Sequence, residues 1–269
     1  MRKRQPPPPP VSRNPSIDPL GTLGMVLQCL GSSSDGNCYL FKARHETLIV
    51  EMGVPFAEVK KALRWRISGV VGAVVTHRHN DHAKYMPEAL KAGIKVLALG
   101  DVFDARRVRN RAFCHEARPM RGYRIGGFKV FAFDVDHDVP CLGYVIEHEE
   151  MGRLLFATDT MMLRYRFPRL NHIMLECNYC DQELERRIAD GVTPPSMRQR
   201  LLETHMELRT CKGVLLANDL SAVSEVVLLH LSARHSDERL FKAEVEAACG
   251  LPAHIAKAGL TLELDRTPY

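Results

Sequence analysis

One stretch constrains the fold more than any other, because a short apolar run ends directly in a cluster of potential metal ligands. Residues 70–75 read VVGAVV, and small and β-branched residues of this kind predict a buried strand. His77, His79, Asp81 and His82 follow within six residues. If the chain stays extended, His77 and His79 point to the same side and can bind one ion, while the other two can face a second ion from the turn.

The segment after this cluster, through Leu90 and Lys91, predicts a helix. The ligands therefore lie at a strand-to-helix junction, where the sites of α/β sheets usually form. Imidazole and carboxylate together suit Zn²⁺ or a similar first-row ion, and two such ions close together are suited to hydrolysis. A single His-x-His pair arises on strands by chance, but four potential ligands in six residues favour a metal site.

At these residues the sequence resembles the metallo-β-lactamase superfamily, whose first metal motif is HxHxDH. The resemblance covers residues 25–265, which read THRHNDH at this motif. It implies an α/β fold built as a single-domain αβ/βα four-layer sandwich. Without that resemblance, the pattern of helices and strands by itself supports only a two-layered α/β hydrolase-like site.

Composition limits the class of protein. A chain of 269 residues with 45% hydrophobic and 26% charged residues is typical of one globular domain, and no apolar run approaches the roughly 20 residues that cross a bilayer. We therefore expect no membrane partner.

Eight scattered cysteines show no disulfide framework, and prolines stand where a signal peptide needs an apolar run, so we expect a reducing, cytoplasmic location. The net charge of +5 permits a polyanionic substrate without requiring one.

Residues 1–22 differ in composition from the rest of the chain. They contain five consecutive prolines and few large apolar side chains, which predicts a disordered or polyproline II tail. The basic residues of this tail could contact nucleic acid, but a solvated leader is the favoured interpretation. We expect the metallo-β-lactamase-fold hydrolase domain to span residues 23–269.

Three further candidate ligands each follow a predicted strand. Phe128–Val135 delivers His137 in VDHDVP, between two aspartates and before a proline that breaks pairing. Asp159 ends the apolar strand 153–157, where the superfamily carries the aspartate that bridges both ions, and His230 in LLHLSARHSD matches its last ligand motif. The resemblance thus implies two divalent ions, Zn²⁺ or Mn²⁺. Their ligands would be His77, His79 and His137 for one ion and Asp81, His82 and His230 for the other, with Asp159 between them.

The order of motifs also resembles the tRNase Z branch of phosphodiesterases. In that branch a glutamate and a histidine form a proton-relay pair, which corresponds here to Glu176 at a strand end and His205 on a helix predicted over 197–217. With GSSSDGN, ECN and HLS, the sequence resembles the small bacterial and phage nucleases of the YycJ (WalJ) type more closely still. Asp81, Glu176 and His205 are the candidate catalytic residues.

The sequence departs from the superfamily pattern at three positions. Glu51 stands where the superfamily often has an aspartate near the metals, and Lys84 and Tyr85 stand where a glycine is common.

Two further segments each allow two interpretations. The turn at residues 31–37 is either an anion cradle or a plain hairpin turn. The arginine-rich segment 106–124 is a solvated surface by default and a phosphate-contacting patch as the alternative. Cys177 and Cys180 are interpreted as buried thiols, because this CxxC has no partner pair.

The leading functional expectation is a metal-dependent phosphodiesterase, an exonuclease-like nuclease for which DNA is favoured over RNA by resemblance alone. A second possibility is a metallo-hydrolase of a small thioester, lactone or β-lactam, since one fold hosts many chemistries. A third is a non-catalytic nucleic-acid-binding module, which the complete set of candidate ligands argues against. The sequence does not specify the oligomeric state.

Overall fold

The computed structural model describes residues 24–266. The predicted tail, residues 1–22, lies outside this range, so the domain boundary stays a prediction. The strands in the described range are β1 (Met25–Gly31), β2 (Cys38–Lys42), β3 (Thr47–Val50), β4 (Val70–Val74), β5 (Val96–Ala98), β6 (Cys114–Glu116), β7 (Arg121–Ile125), β8 (Phe128–Val135), β9 (Cys141–His148), β10 (Gly152–Ala157), β11 (His172–Glu176), β12 (Glu225–Leu229), β13 (Ala253–Ile255) and β14 (Thr261–Leu264). The helices are α1 (Phe56–Ala62), α2 (Asn80–Ala83), α3 (Met86–Lys91), α4 (Gly100–Ala105), α5 (Asp181–Ala189), α6 (Ser196–Thr204), α7 (Leu208–Ala217) and α8 (Glu238–Cys249), with one 3₁₀ turn at Ile67–Gly69.

The strands form two seven-stranded mixed sheets. The first sheet has the order β14-β1-β2-β3-β4-β5-β6, and the second has the order β13-β12-β11-β10-β9-β8-β7. In the first sheet β3 to β6 run parallel, and in the second β10 to β13 run parallel. The carboxyl ends of these parallel strands meet at one edge of each sheet, which is where α/β proteins place their sites.

Three apolar layers hold the sheets and helices together. Strand alternation places Leu27, Phe41 and Phe156 in the layer between the two sheets. Opposite faces of the same sheets pack against helices, with Leu40 and Phe103 in the outer layer of the first sheet. The outer layer of the second sheet contains Leu175, Leu215 and Phe241. The predicted four-layer αβ/βα sandwich is confirmed.

One predicted helix is wrong. Residues 197–217 do not form a single helix: α6 ends at Thr204, His205 is extended (φ −136°, ψ 155°), and α7 begins at Leu208. Glu207 caps α7 by accepting hydrogen bonds from the backbone N–H groups of Arg209 and Thr210. The pattern of apolar residues continues across this break, so periodicity alone does not detect it.

No helix in residues 24–266 has the length and apolar character that crossing a membrane requires.

Candidate metal centre and catalytic pair

The candidate site lies where the carboxyl ends of strands from both sheets meet. Four of its side chains follow β4, one follows β8, one follows β10 and one follows β12. The structure thereby brings all seven predicted ligands together in two separate groups: His77, His79 and His137, and Asp81, His82, Asp159 and His230. Within each group the potential ligand atoms all lie within 4.8 Å of one another.

Three imidazoles converge in the first group. Nε2 of His77 lies 3.0 Å from Nδ1 of His79, and Nε2 of His137 lies 3.3 Å from the same atom. Two nitrogens that each lie about 2.0–2.1 Å from a tetrahedral Zn²⁺ are about 3.3 Å apart. The spacing of these nitrogens therefore fits a shared cation.

Neighbouring oxygens determine which nitrogen of each ring faces this group. Nδ1 of His137 lies 3.1 Å from the carbonyl oxygen of Thr204, which can only accept, so His137 donates there and keeps the lone pair of Nε2 for the centre. Nδ1 of His77 lies 2.9 Å from Oγ1 of Thr76. Asp138, which sequence reasoning noted only as a flanking residue, brings Oδ1 to 3.1 Å from Nε2 of His137.

The second group combines two carboxylates with two histidines. Nε2 of His82 lies 3.1 Å from Oδ2 of Asp159 and 3.2 Å from Oδ2 of Asp81. Nε2 of His230 lies 3.4 Å from the same Asp81 oxygen and makes no hydrogen bond, although it is buried. A buried polar atom without a partner is costly, and a cation in this group would satisfy it.

Charge is distributed differently over the two groups. Burial lowers the pKa values of His77 and His137, which favours the neutral imidazole that binds metal ions. Burial also opposes charge on His82 and His230, but the surrounding carboxylates outweigh it and raise the pKa of His230 to about 10. Asp159 has a pKa well below its usual range, because His230 and His82 outweigh its burial. The second group is thus an anionic pocket that requires positive charge, which divalent ions can supply in place of these protons.

Glu176 and His205 form a close pair beside the second group. Oε1 of Glu176 lies 2.7 Å from Nδ1 of His205, and Oε2 accepts a 2.7 Å hydrogen bond from the backbone N–H of Thr160. Burial opposes the charged form of His205, but Glu176 and Asp159 outweigh it and raise its pKa. Because His205 lies in the extended break between α6 and α7, its ring can reach the strand end that carries Glu176.

Three residues of the centre have left-handed backbones. Glu51, Asp159 and His230 have φ values of 67°, 51° and 53°, and each follows the end of a strand. Such conformations cost free energy in residues other than glycine, and they persist only where surrounding contacts fix them. At these positions the sharp change of direction turns a side chain from the strand into the centre.

The turn at residues 31–37 fixes the backbones of ligands from both sheets. Asn37 donates from its backbone N–H to the carbonyl oxygen of Asp81 (2.7 Å), and its Nδ2 lies 3.0 Å from Nε2 of His82. Oγ of Ser32 accepts a 3.0 Å hydrogen bond from the backbone N–H of His230. Neither the anion-cradle nor the hairpin interpretation of this turn predicted that it would hydrogen-bond to candidate ligands. The only signal in the sequence was the high content of serine and asparagine in the turn.

Further supports come from residues whose role the sequence left open. The buried Glu51 places Oε1 3.4 Å from Nδ1 of His82, so its carboxylate lies beside the ring of a candidate ligand. Arg106 is half-buried and donates to Oδ1 of Asn80 and to the carbonyl oxygen of Arg78, both at 2.6 Å. It thereby braces the turn at residues 77–82, which carries four candidate ligands and is called the ligand turn below. Asn178 donates from Nδ2 to the carbonyl oxygen of His230 at 2.6 Å.

The two CxxC thiols, Cys177 and Cys180, are buried in the outer layer of the second sheet, as interpreted from sequence.

Comparison with known proteins agrees with this architecture. No protein-family model matches the chain. Ribonuclease J from Mycolicibacterium smegmatis is 28% identical over 162 residues, which cover 52% of this chain and 29% of that protein. The chain thus spans about three tenths of the length of the curated relative that it matches.

Solved structures extend the likeness over nearly the whole chain. The metallo-β-lactamase fold protein YhfI from Bacillus subtilis has a TM-score of 0.66 at 15% identity, covering 89% of this chain and 99% of that one. Human tRNase Z, short form, has a TM-score of 0.62 at 12% identity, with coverage of 89% and 99%. Zn²⁺-bound PqqB from Methylobacterium extorquens has a TM-score of 0.66 at 15% identity, with coverage of 89% and 100%. The chain therefore has the metallo-β-lactamase fold.

Proposed function

We propose that the protein is a metal-dependent phosphodiesterase that cleaves nucleic acid. The observation that carries this proposal is the Glu176–His205 pair, held at 2.7 Å beside two groups of potential metal ligands. Hydrolysis of a small acyl substrate requires a metal-activated water, but it does not require a second buried acid–base pair of this kind. The likeness in fold to tRNase Z and the sequence match to ribonuclease J also support a nuclease.

The seven ligands would hold two divalent ions, Zn²⁺ or Mn²⁺. Such ions lower the pKa of water and neutralise charge that develops on phosphoryl oxygens. Asp81 contributes to this chemistry through Oδ2, which lies within 3.4 Å of both His82 and His230 and therefore belongs to the second group.

His205 would move the proton. With Nδ1 paired to Glu176, the remaining ring nitrogen, Nε2, is available to hold a proton and to give it to the leaving oxygen of the scissile phosphodiester. Glu176 fixes the orientation of the ring and stabilises its charged form, and the backbone N–H of Thr160 in turn holds Glu176 in place.

The finer assignment concerns the substrate and the direction of cleavage. We propose DNA as the preferred substrate and cleavage from an end, on the resemblance of GSSSDGN, ECN and HLS to the YycJ (WalJ) type. The names of tRNase Z and ribonuclease J denote RNA substrates, so RNA is the alternative that an assay must separate.

The test is cleavage of single- and double-stranded DNA and RNA, labelled at either the 5′ or the 3′ end, with Mn²⁺ or Zn²⁺. We expect Asp81→Ala to abolish cleavage and His205→Ala to lower kcat by about 10²- to 10⁴-fold. The product ladder from each label reports polarity.

A matched control exists on the same strand. The buried His172 and the half-buried Glu225 form another close pair, with Nδ1 2.7 Å from Oε1, but His172 lies at the opposite end of β11 from Glu176. His172→Gln should therefore leave kcat per folded molecule unchanged. The nuclease proposal is wrong if the folded, metal-loaded protein cuts no nucleic acid but turns over a thioester, lactone or β-lactam panel.

A further inference from the structure

An exposed aromatic side chain surrounded by positive charge lies away from the metal centre. Trp65 is the one tryptophan of the chain and is 64% exposed. It precedes β4, whereas the ligand turn follows the other end of that strand. Residues 58–66 read EVKKALRWR and contain four basic residues and one acidic residue.

The backbone holds this side chain in a strained turn. Helix α1 ends in a Schellman motif, in which Trp65 and Arg64 donate 2.8 Å backbone hydrogen bonds to the carbonyl oxygens of Lys60 and Lys61. Arg64 and Trp65 have φ values of 50° and 63°, although glycine is the residue that adopts this conformation without strain. Two consecutive bulky residues in this strained conformation indicate that their side chains have a function.

Most of the positive charges around the indole have no acidic partner among the described residues. Lys61 pairs with Glu58 at 2.8 Å, but neither Arg64 nor Arg66 forms an ion pair within residues 24–266. Nζ of Lys60 lies 5.2 Å from the centre of the Trp65 ring, so a cation also lies over the aromatic face. The surface thus combines one available ring with unpaired cations.

We propose that Trp65, Lys60, Arg64 and Arg66 form a binding surface for single-stranded nucleic acid. A base would stack on the indole, and the basic side chains would contact the neighbouring phosphates. The proposal rests on the proposed nuclease function, because such a surface would hold the substrate strand at a distance from the site of cleavage.

Other partners fit this surface less well. A stable protein interface buries roughly 1,000 Å² or more around an apolar centre, and a membrane-surface site needs a broad apolar face. Trp65 is the one strongly exposed large apolar side chain in residues 56–70. One ring among cations provides too little apolar area for either partner, but it is sufficient for one base.

Intrinsic fluorescence tests the proposal directly, because all tryptophan emission comes from Trp65. The full-length, metal-loaded protein would be studied in the His205→Ala background, which slows cleavage. It would be titrated with oligo-dT, oligo-rU, a duplex of equal length and phosphatidylserine vesicles. We expect saturable quenching by the single strands, with a weaker response to the duplex.

Binding of dye-labelled oligonucleotides then compares variants. Trp65→Ala should weaken binding by about 5- to 100-fold, the usual contribution of one stacked base. Arg64→Gly removes a positive charge but relieves backbone strain, so it should weaken binding while Tm holds or rises, a combination that loss of structure does not produce. Leu216→Ala, at a 58% exposed residue of α7, is the matched control and should have no effect.

Equal affinity of wild type and Trp65→Ala for single strands would overturn the proposal. A fluorescence response to the vesicles without one to the oligonucleotides would also overturn it and would assign a membrane surface. Quenching and weakened binding without any cleavage by the wild type would support this surface while refuting the proposed nuclease function.

Discussion

Glu51 shows at the scale of a residue how much of this centre depends on side chains that do not belong to either ligand group. Its carboxylate is fully buried, accepts a 3.3 Å hydrogen bond from the backbone N–H of Thr76 and lies 3.4 Å from Nδ1 of His82. Burial raises the pKa of Glu51 despite the opposing effect of His82. A negative charge at Nδ1 makes the opposite nitrogen of the ring a stronger ligand.

Glu51→Gln keeps the size of the side chain and removes this charge. We expect the affinity of the second group for Zn²⁺ to fall by about 10- to 100-fold, because neighbours of ligands usually contribute this much. Competition with a chromophoric chelator would measure both sites separately. Unchanged Zn²⁺ affinity at both sites would contradict this interpretation and would mean that Glu51 only fills space.

At the scale of elements, the turn at residues 31–37 and the loop between β3 and α1 both pack against the ligand turn. Gly53, between β3 and α1, lies so close that a Cβ placed on it would lie 1.7 Å from the carbonyl oxygen of Asp81 and 2.7 Å from the backbone nitrogen of Asn37. Both atoms belong to backbone, which cannot move aside as a flexible side chain does. The absence of a side chain at Gly53 therefore allows the loop before α1 to contact the turn that carries Asp81 and His82.

Gly53→Ala should consequently destabilise the protein by at least about 1–3 kcal/mol, the usual cost of overpacking. Gly213→Ala in α7 is the matched control, since nothing lies within 4 Å of its added Cβ. Because alanine favours the helix over glycine, we expect this control to stabilise by about 0.5–1 kcal/mol. Denaturant unfolding at a fixed Zn²⁺ concentration measures both values, and equal effects of the two substitutions would contradict the packing argument.

At the scale of the whole molecule, the candidate centre joins the two sheets. In the first ligand group, His77 and His79 come from the first sheet and His137 from the second. The second group is divided in the same way, with Asp81 on one side and Asp159 on the other. Metal binding would therefore link the two halves of the sandwich, as well as compensate the buried carboxylates.

Removal of metal should accordingly lower the stability of the whole fold. At a free Zn²⁺ concentration of 100 times Kd, binding to the folded state alone contributes about 2.7 kcal/mol per site. We expect Tm to fall in chelator, to recover when Zn²⁺ is added, and to respond much less in Asp159→Ala. A Tm that is the same with and without chelator would show that these residues do not hold metal.

Much of the fold was predictable because its signals are local. Apolar runs and alternation gave β8 with its observed bounds and β4 and β10 to within one residue, and the resemblance at HxHxDH gave the order of layers. The strands β6, β7, β13 and β14 went unpredicted, since they are short or half-exposed and lack a strong apolar pattern. The break at His205 was also missed, because it depends on the cap from Glu207 and on contact with another strand.

The sequence by itself determined which side chains can meet, since each candidate ligand directly follows an apolar strand and parallel strands end at one edge. Only the tertiary structure decided what holds them in place. Asn37 and Ser32 lie far from Asp81 and His230 along the chain, and Arg106 contacts the turn that holds His79. Hydrogen bonds between distant segments leave no periodic trace in the sequence, because their partners are fixed by the packing of two sheets and not by spacing along one strand.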